Sequence, residues 1–295
     1  MKKLLTELNE EKLQMLINKK RIPMSRNNED YQALERKVHI NEERNIEVVK
    51  GNTKISIKEA KEVGKKLTDV FYTCHYKWLN KQNDIFFIEE RIEKRKARIY
   101  KNNLVEDEET ENTKMFSDEQ IYEEKEERSS FYYDRLAAVQ YAERWWNSHN
   151  SKYKNFGDNC TNFISQCLHA GNASMRGYPN RSSGWWMQSN DWSYSWTVAN
   201  SMRLFLGSSK TGLRAKEVST AEELMPGDVI CLDFQGDGRY DHTTIVVAKD
   251  QNNMPLVNAQ SYNSRMRYWS YEDSTAYTPN IKYKFYHIVD DTTKK

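Results

Sequence analysis

Residues 156–171 read FGDNCTNFISQCLHAG, and this stretch decides the C-terminal half of the chain. Phe163, Ile164, Cys167 and Leu168 fall at i, i+1, i+4 and i+5, the buried stripe of an α-helix. The spacing predicts a helix from Cys160 to Ala170, with Asp158 or Asn159 as its cap and Gly171 closing it. Cys160 then lies in the first turn, where unpaired backbone N–H groups and the positive end of the dipole favour thiolate over thiol. The thiolate is the nucleophilic form, so Cys160 stands apart from the other three cysteines. Cys167 lies inside the stripe, Cys231 in mid-strand and Cys74 in the N-terminal half, and these read as small buried thiols. No pair has CxxC spacing and no Cys/His cluster has zinc-ligand spacing, so no metal and no cofactor is expected.

Outward from this helix, Asp134 is positioned to cap a preceding helix, RLAAVQYAERWWNSHN (135–150). A Gly, Ser, Trp and Asn-rich stretch follows, from 171 to about 195, and then a helix over 197–206. Pro226-Gly227-Asp228 turns into a strand at 229–234. Further strands are expected at 242–248, 256–260, 266–269 and 281–287. Helices therefore come first and an antiparallel sheet second, which is an α+β order.

A thiolate requires a base, and the C-terminal half offers four histidines. His169 is nine positions from Cys160 on the same helix, too far to touch it. His149 and His287 lie at element ends without distinguishing context. His242 starts a strand directly after the Gly-rich turn in DFQGDGRYDH, a common place for a functional side chain to project. Asn258 and Gln260 share parity in the next strand, so either is able to orient His242 across the hairpin. The candidates for substrate binding are Asn159, Asn162, Trp185, Trp186 and Gln260. Capping and core packing compete with that reading, and for the tryptophans core packing is the commoner outcome. Asp233, Asp237 and Asp241 partly resemble a calcium loop, but Gln235 stands where an acid is needed, which favours a tight hairpin turn.

The N-terminal part differs in composition. Residues 1–130 carry 27 basic and 27 acidic side chains, and the remainder only 18 and 16. Seven of the eight tryptophans lie after residue 130. Neither part has the basic excess of a nucleic-acid binder, and no apolar run approaches the length of a membrane span. Residues 1–35 read as mostly helical. Alternation from Lys37, through Val38 and Ile40 to Ile57, predicts strands, as do 69–79, 84–92 and 94–100. Residues 106–127 hold 11 acids against two lysines, a self-repelling block that reads as a linker. The expected organisation is an accessory helix and antiparallel sheet (1–105), an acidic linker (106–130) and a catalytic domain (131–290). Glu7, Glu10 and Glu11 interrupt the N-terminal apolar run, so no signal peptide is expected and the default location is cytoplasmic.

The stretches FGDNCTNFISQCL, GWW, SWTVANSMRLFL, ELMPGDVICLDFQGDGRYDHTTIVV and PLVNAQSYNSR resemble the putative amidase domain family of Gram-positive bacteria. That family lies near the NlpC-type and CHAP peptidoglycan hydrolases among the papain-like cysteine hydrolases. The resemblance implies Cys160 as nucleophile, His242 as base and, by the NlpC-type pattern, Asn258 as third member. Gln260 stands where the family usually has histidine, so Asn258 is expected to hold the imidazole while Gln260 lines the site. The implied reaction is amide hydrolysis through an acyl-enzyme, with a peptide or peptidoglycan-type substrate and association with cell wall or spore. A silent wall-binding scaffold and an acyltransferase using the same pair are the rival readings. Residues 1–105 are similar to the accessory region found before this domain, of a cone-shaped NTF2-like kind.

Overall fold

The computed structural model describes residues 1–19, 29–110 and 130–294. Its contacts divide the chain into two units. One comprises 1–111 with 262–266 and 270–277, and the other 112–261 with 267–269 and 278–295.

The N-terminal unit begins with α1 (Lys2–Asn18) and α2 (Glu29–Glu43). Four antiparallel strands follow: β1 (Ile46–Gly64), β2 (Leu67–Gln82), β3 (Ile85–Tyr100) and β4 (Asn103–Glu109), paired in chain order. Leu5, Leu13 and Leu16 recur on one face of α1 and form a core with Val48, Ile55, Val70, Tyr72 and Trp78 of the sheet. Gly51 makes that approach possible, because a Cβ there would lie 2.2 Å from Leu13 Cδ1.

Three expectations for this unit change. Val38 and Ile40 belong to α2, not to a strand. Their alternation is part of a helical face that also buries Tyr31, Ala33, Lys37 and Asn41, and the buried polar members disguise the 3.6 period. The two runs at 84–92 and 94–100 are one strand, β3. The acidic block begins as structure, since residues 106–109 form the second half of β4. There Asp107 accepts from Arg95 and Tyr72, and an acid that is paired need not repel its neighbours. Residues 111–129, the rest of the expected linker, lie outside the described residues.

In the C-terminal unit, Asp134 accepts from Ala137 N at 2.9 Å and caps α3 (Arg135–Trp145). α4 spans Cys160–Ala170, the range its spacing predicts. A two-strand ribbon follows, β5 (Met187–Gln188) and β6 (Asp191–Trp192). The single helix expected at 197–206 is broken at Val198, which is extended, into α5 (Tyr194–Thr197) and α6 (Ala199–Ser208). The strands are β7 (Arg214–Val218), β8 (Val229–Asp233), β9 (His242–Lys249), β10 (Pro255–Ala259), β11 (Ser264–Tyr268) and β12 (Lys282–Val289). Ser264 and Arg265 of β11 pair with β3 inside the N-terminal unit. The remaining five form an antiparallel sheet in the order β10-β9-β8-β12-β7. α4 packs on β9 and β10 and against α3, giving the expected α+β architecture of helices on an antiparallel sheet.

Two acids anchor loops of this unit. Asp233 accepts from Gly236 N at 2.7 Å and Gly238 N at 2.8 Å, closing the Gly-rich stretch as a tight turn. Asp228, fully buried, accepts from Arg135, His287 Nδ1 and the Ile288 amide at 2.7, 2.7 and 2.9 Å. The Pro-Gly-Asp turn is thereby tied to α3 and β12. No helix among the described residues is long and apolar enough to cross a membrane.

Candidate active site

The start of α4 is held by side chains from the end of β10. Asn159 is the N-cap residue, but its side chain does not cap the helix. Ser261 performs that task from outside. Its Oγ accepts from Asn159 N at 2.8 Å and Cys160 N at 3.1 Å and donates to Asp158 Oδ1. Ser261 has φ +73°, a left-handed conformation that costs a non-glycine residue about 1–2 kcal/mol. Three hydrogen bonds on one hydroxyl offset that strain.

The amides behind the cysteine are internally satisfied. Asn159 Oδ1 accepts from Phe156 N and Asn162 Nδ2, and Asn159 Nδ2 donates to Gln260 Oε1. Gln260 Nε2 donates in turn to the carbonyls of Trp145 and Ser148 at 2.6 and 2.8 Å. Asn162 also donates to Lys154 O and accepts from Trp196 Nε1. Asn159, Asn162 and Gln260 thus clamp α4 to the end of α3 and to β10, which is a scaffolding role.

Cys160 is 3% exposed. Its sulfur lies 3.6 Å from Thr161 Oγ1 and is hydrogen-bonded to the backbone and hydroxyl of Thr243. The two threonine hydroxyls are 3.1 Å apart. Burial, and then the Asp158 carboxylate, push the thiol up to about 12. The helix start alone predicts the opposite direction. Loss of hydration outweighs the dipole here, and Ser261 already occupies the amide of Cys160. The resting group is a neutral thiol.

His242 opens β9 opposite Leu232. Its ring is 2% exposed and stacks with Phe234 at 6.2 Å between centroids. Burial, and then the Arg267 cation, push the imidazole down to about 3, so it too rests neutral. Successive strand residues point to opposite faces. Thr243 points to α4, and His242 to the face it shares with Phe234. The contact that β9 makes with the sulfur runs through Thr243.

Asn258 is not placed to orient His242. It pairs with Ile245, three residues along β9, which is roughly 10 Å at strand rise and of opposite parity. Its Nδ2 donates to Glu143 Oε1 at 2.8 Å. The β9–β10 pairing ends at Asn258, three residues short of His242. A bulge at Val247 of β9, between the pairings of Leu256 and Val257, sets this register, and the sequence gives no sign of it.

The paired tryptophans are core. Trp185 and Trp186 are 0% and 1% exposed; their indoles donate to Ser165 Oγ and to the carbonyls of Asn180 and Ser183. The half-buried aromatic pair is Phe156 with Trp192, edge to face at 4.8 Å. Lys154 and Arg181 lie over the Trp192 ring at 4.3 and 4.8 Å. Sequence reasoning passed over Ser261 and Thr243. Both are small polar residues next to the residues it selected, and only the register distinguishes them. Among the described residues no group of three His, Cys, Asp or Glu side chains is arranged to hold a metal ion.

Comparison with known proteins bears on this site. Over 100% of this chain and 98% of the relative, the sequence is 54% identical to the uncharacterized protein YhbB of Bacillus subtilis (strain 168). The uncharacterized protein YjcM of the same organism is 31% identical over 144 residues, 46% of this chain and 32% of that protein. No solved structure matches. The family described as "Putative amidase domain" matches residues 132–286, which contain α3, α4 and nearly the whole C-terminal sheet. The chain belongs to that family.

Proposed function

We propose that the protein is a cysteine-dependent amide hydrolase with Cys160 as nucleophile and His242 as base, acting on peptides of the bacterial cell wall. One observation carries the reading. The sulfur at the first residue of α4 is hydrogen-bonded to Thr243, the residue that follows His242. Family membership supports the amide as the bond class, and the wall peptide follows from the resemblance to NlpC-type hydrolases, with wall or spore association part of the same reading.

The neutral resting pair defines the first step. For this step the His242 imidazole must turn from the face it shares with Phe234 to reach Sγ; the Sγ proton then passes to it as the thiolate forms the C–S bond to the peptide carbonyl. The Cys160 amide, freed from Ser261, is aimed at the developing oxyanion. The imidazolium then gives its proton to the leaving amine as the C–N bond breaks. Water, deprotonated by His242, releases the acid and returns the proton to sulfur. Muropeptide turnover tests this, with Cys160→Ser expected to lower the rate by roughly 10³-fold or more. Equal turnover by the two proteins ends the reading.

A silent wall-binding scaffold is favoured by one observation, the burial of the thiol with Ser261 on its amide. That reading requires wild type to bind muropeptide without releasing product. An acyltransferase requires an added amine to divert the acyl group from the free acid.

A further inference from the structure

In the N-terminal unit, α1 packs on the sheet face that holds Tyr72 and Trp78. The alternate residues of β1, β2 and β3 therefore point away from that core. The register sets Glu47, Lys81 and Phe86 in one outward row and Lys50, Leu79 and Ile88 in the next. The two rows beyond add Lys77 beside Glu90, and Lys54 beside His75. Neighbours within a row stand about 5 Å apart, and successive rows about 7 Å.

The first two rows are apolar and open to solvent. Phe86 is 55% exposed and Ile88 45%. Val49, the extra residue of the bulge between Val48 and Lys50, is 41% exposed. Among the described residues, β3 from Ile85 to Glu89 pairs only with β2, because β11 joins it at Glu90 and β4 at Arg95. This end is thus a margin of the sheet. Single exposed apolar side chains are ordinary on a protein surface, whereas a contiguous group of large ones marks a contact surface.

The same rows carry an excess of positive charge. Lys50, Lys54, Lys77 and Lys81 stand against two carboxylates, Glu47 and Glu90, with Asp84 in the adjoining turn. Glu90 is engaged within the surface, by Lys77 at 2.8 Å, His75 Nε2 at 2.9 Å and Arg265 at 3.4 Å. Lys81 Nζ lies over the Phe86 ring, 5.7 Å from its centroid, so an apolar stem and an aromatic ring end in an ammonium. Large apolar side chains interleaved with lysines match hydrocarbon beneath anionic headgroups. A soluble polyanion would leave Phe86 and Ile88 unmatched, and an apolar protein partner would bury the lysines without counter-charge.

We propose that this end of the outer sheet face docks on a lipid bilayer bearing anionic headgroups. Val49, Phe86 and Ile88 enter the boundary between headgroups and acyl chains, and Lys50, Lys54 and Lys81 meet the headgroups. The docking surface stands whether or not the C-terminal unit cleaves amides.

Vesicle cosedimentation of the full chain tests the proposal, with phosphatidylcholine alone and with about 30% phosphatidylglycerol added. Wild type should bind the anionic vesicles about tenfold more tightly. Phe86→Ser combined with Ile88→Ser alters only exposed side chains and should weaken that binding by about tenfold or more. Lys50→Gln combined with Lys54→Gln should do the same. Lys2→Gln combined with Lys3→Gln, on the helix that covers the opposite face, should bind as wild type does. Equal binding of wild type to the two kinds of vesicle overturns the proposal, and that comparison does not depend on any variant folding. Binding that is lost with the lysines but unchanged in the Phe86 and Ile88 variant overturns it in favour of a polyanion. A wild-type dimer that the same variant renders monomeric, without vesicle binding, overturns it in favour of a second copy of this chain.

Discussion

The core of the N-terminal unit and the surroundings of Cys160 bury polar groups in opposite ways. In the N-terminal unit the buried partners are charged: Arg95 lies among Asp30, Glu93 and Asp107, and Lys37 against Glu89. Around Cys160 they are chiefly neutral amides and hydroxyls, Asn159, Asn162, Gln260, Thr161 and Thr243. A charged network creates a field that shifts its members, whereas an amide network fixes geometry with little net charge. That difference explains why the thiol of Cys160 is not drawn down at rest. Its surroundings orient it, and the Asp158 carboxylate beside it pushes the wrong way for ionisation.

The comparison breaks first at Arg95. Arg95→Ala leaves three carboxylates without their shared cation, and chemical denaturation should show a loss of about 3–5 kcal/mol. A loss below about 1 kcal/mol would mean the network is solvated, and the contrast between the units would collapse.

Next comes pH, where the units should slope in opposite directions. His242 falls from its ordinary 6.5 to about 3 on folding. Its contribution is therefore complete above 6.5 and is lost as pH falls through 3, on the order of 3 kcal/mol. Glu109 rises from 4.5 to about 7, so its contribution is complete below 4.5 and is lost as pH rises to 7, on the order of 1–2 kcal/mol. Proton-linked unfolding of wild type, His242→Gln and Glu109→Gln separates the two. Each variant should flatten only its own window, and a variant with the wild-type profile would refute that assignment.

A smaller effect is expected at Gln260. Gln260→Ala strands Asn159 Nδ2 and the carbonyls of Trp145 and Ser148, costing about 2 kcal/mol in denaturation. The same change loosens the residue before the nucleophile, so turnover should fall more steeply than stability alone explains. If Gln260 instead contacted substrate, KM would rise at unchanged stability.

Periodicity located these elements well but not their depth or register. The helix at Cys160–Ala170 is bounded by its own stripe and its glycine, and Asp134 caps as its position implies. Those are local properties. Trp185 and Trp186 carry the same local pattern whether they floor a groove or fill a core. What separates the two is the Ser165 hydroxyl and the carbonyls of Asn180 and Ser183 beneath them. Asn258 has the correct parity relative to Gln260 but the wrong relation to His242, because a bulge at Val247 of β9 shifts every later pairing by one residue. Val38 and Ile40 mislead for another reason. Lys37 is buried through its pairing with Glu89, and a buried lysine conceals a helical face.

The finest test lies at Ser261, where backbone strain and hydrogen bonding oppose each other. Ser261→Ala removes the acceptor for two amides while keeping a side chain at φ +73°, so it should cost about 1 kcal/mol. Ser261→Gly removes the same hydroxyl but relieves the strain, and should be more stable than the alanine variant by about 1 kcal/mol. The hydroxyl now rests on the amide proposed to receive the oxyanion. Both variants should therefore bind a peptide aldehyde, which forms an oxyanion on the thiol, several-fold more tightly than wild type, in spite of their lower stability. Weaker aldehyde binding in both would make Ser261 a part of the oxyanion site instead of its occupant, and Cys160 N–H would then act only with that hydroxyl in place.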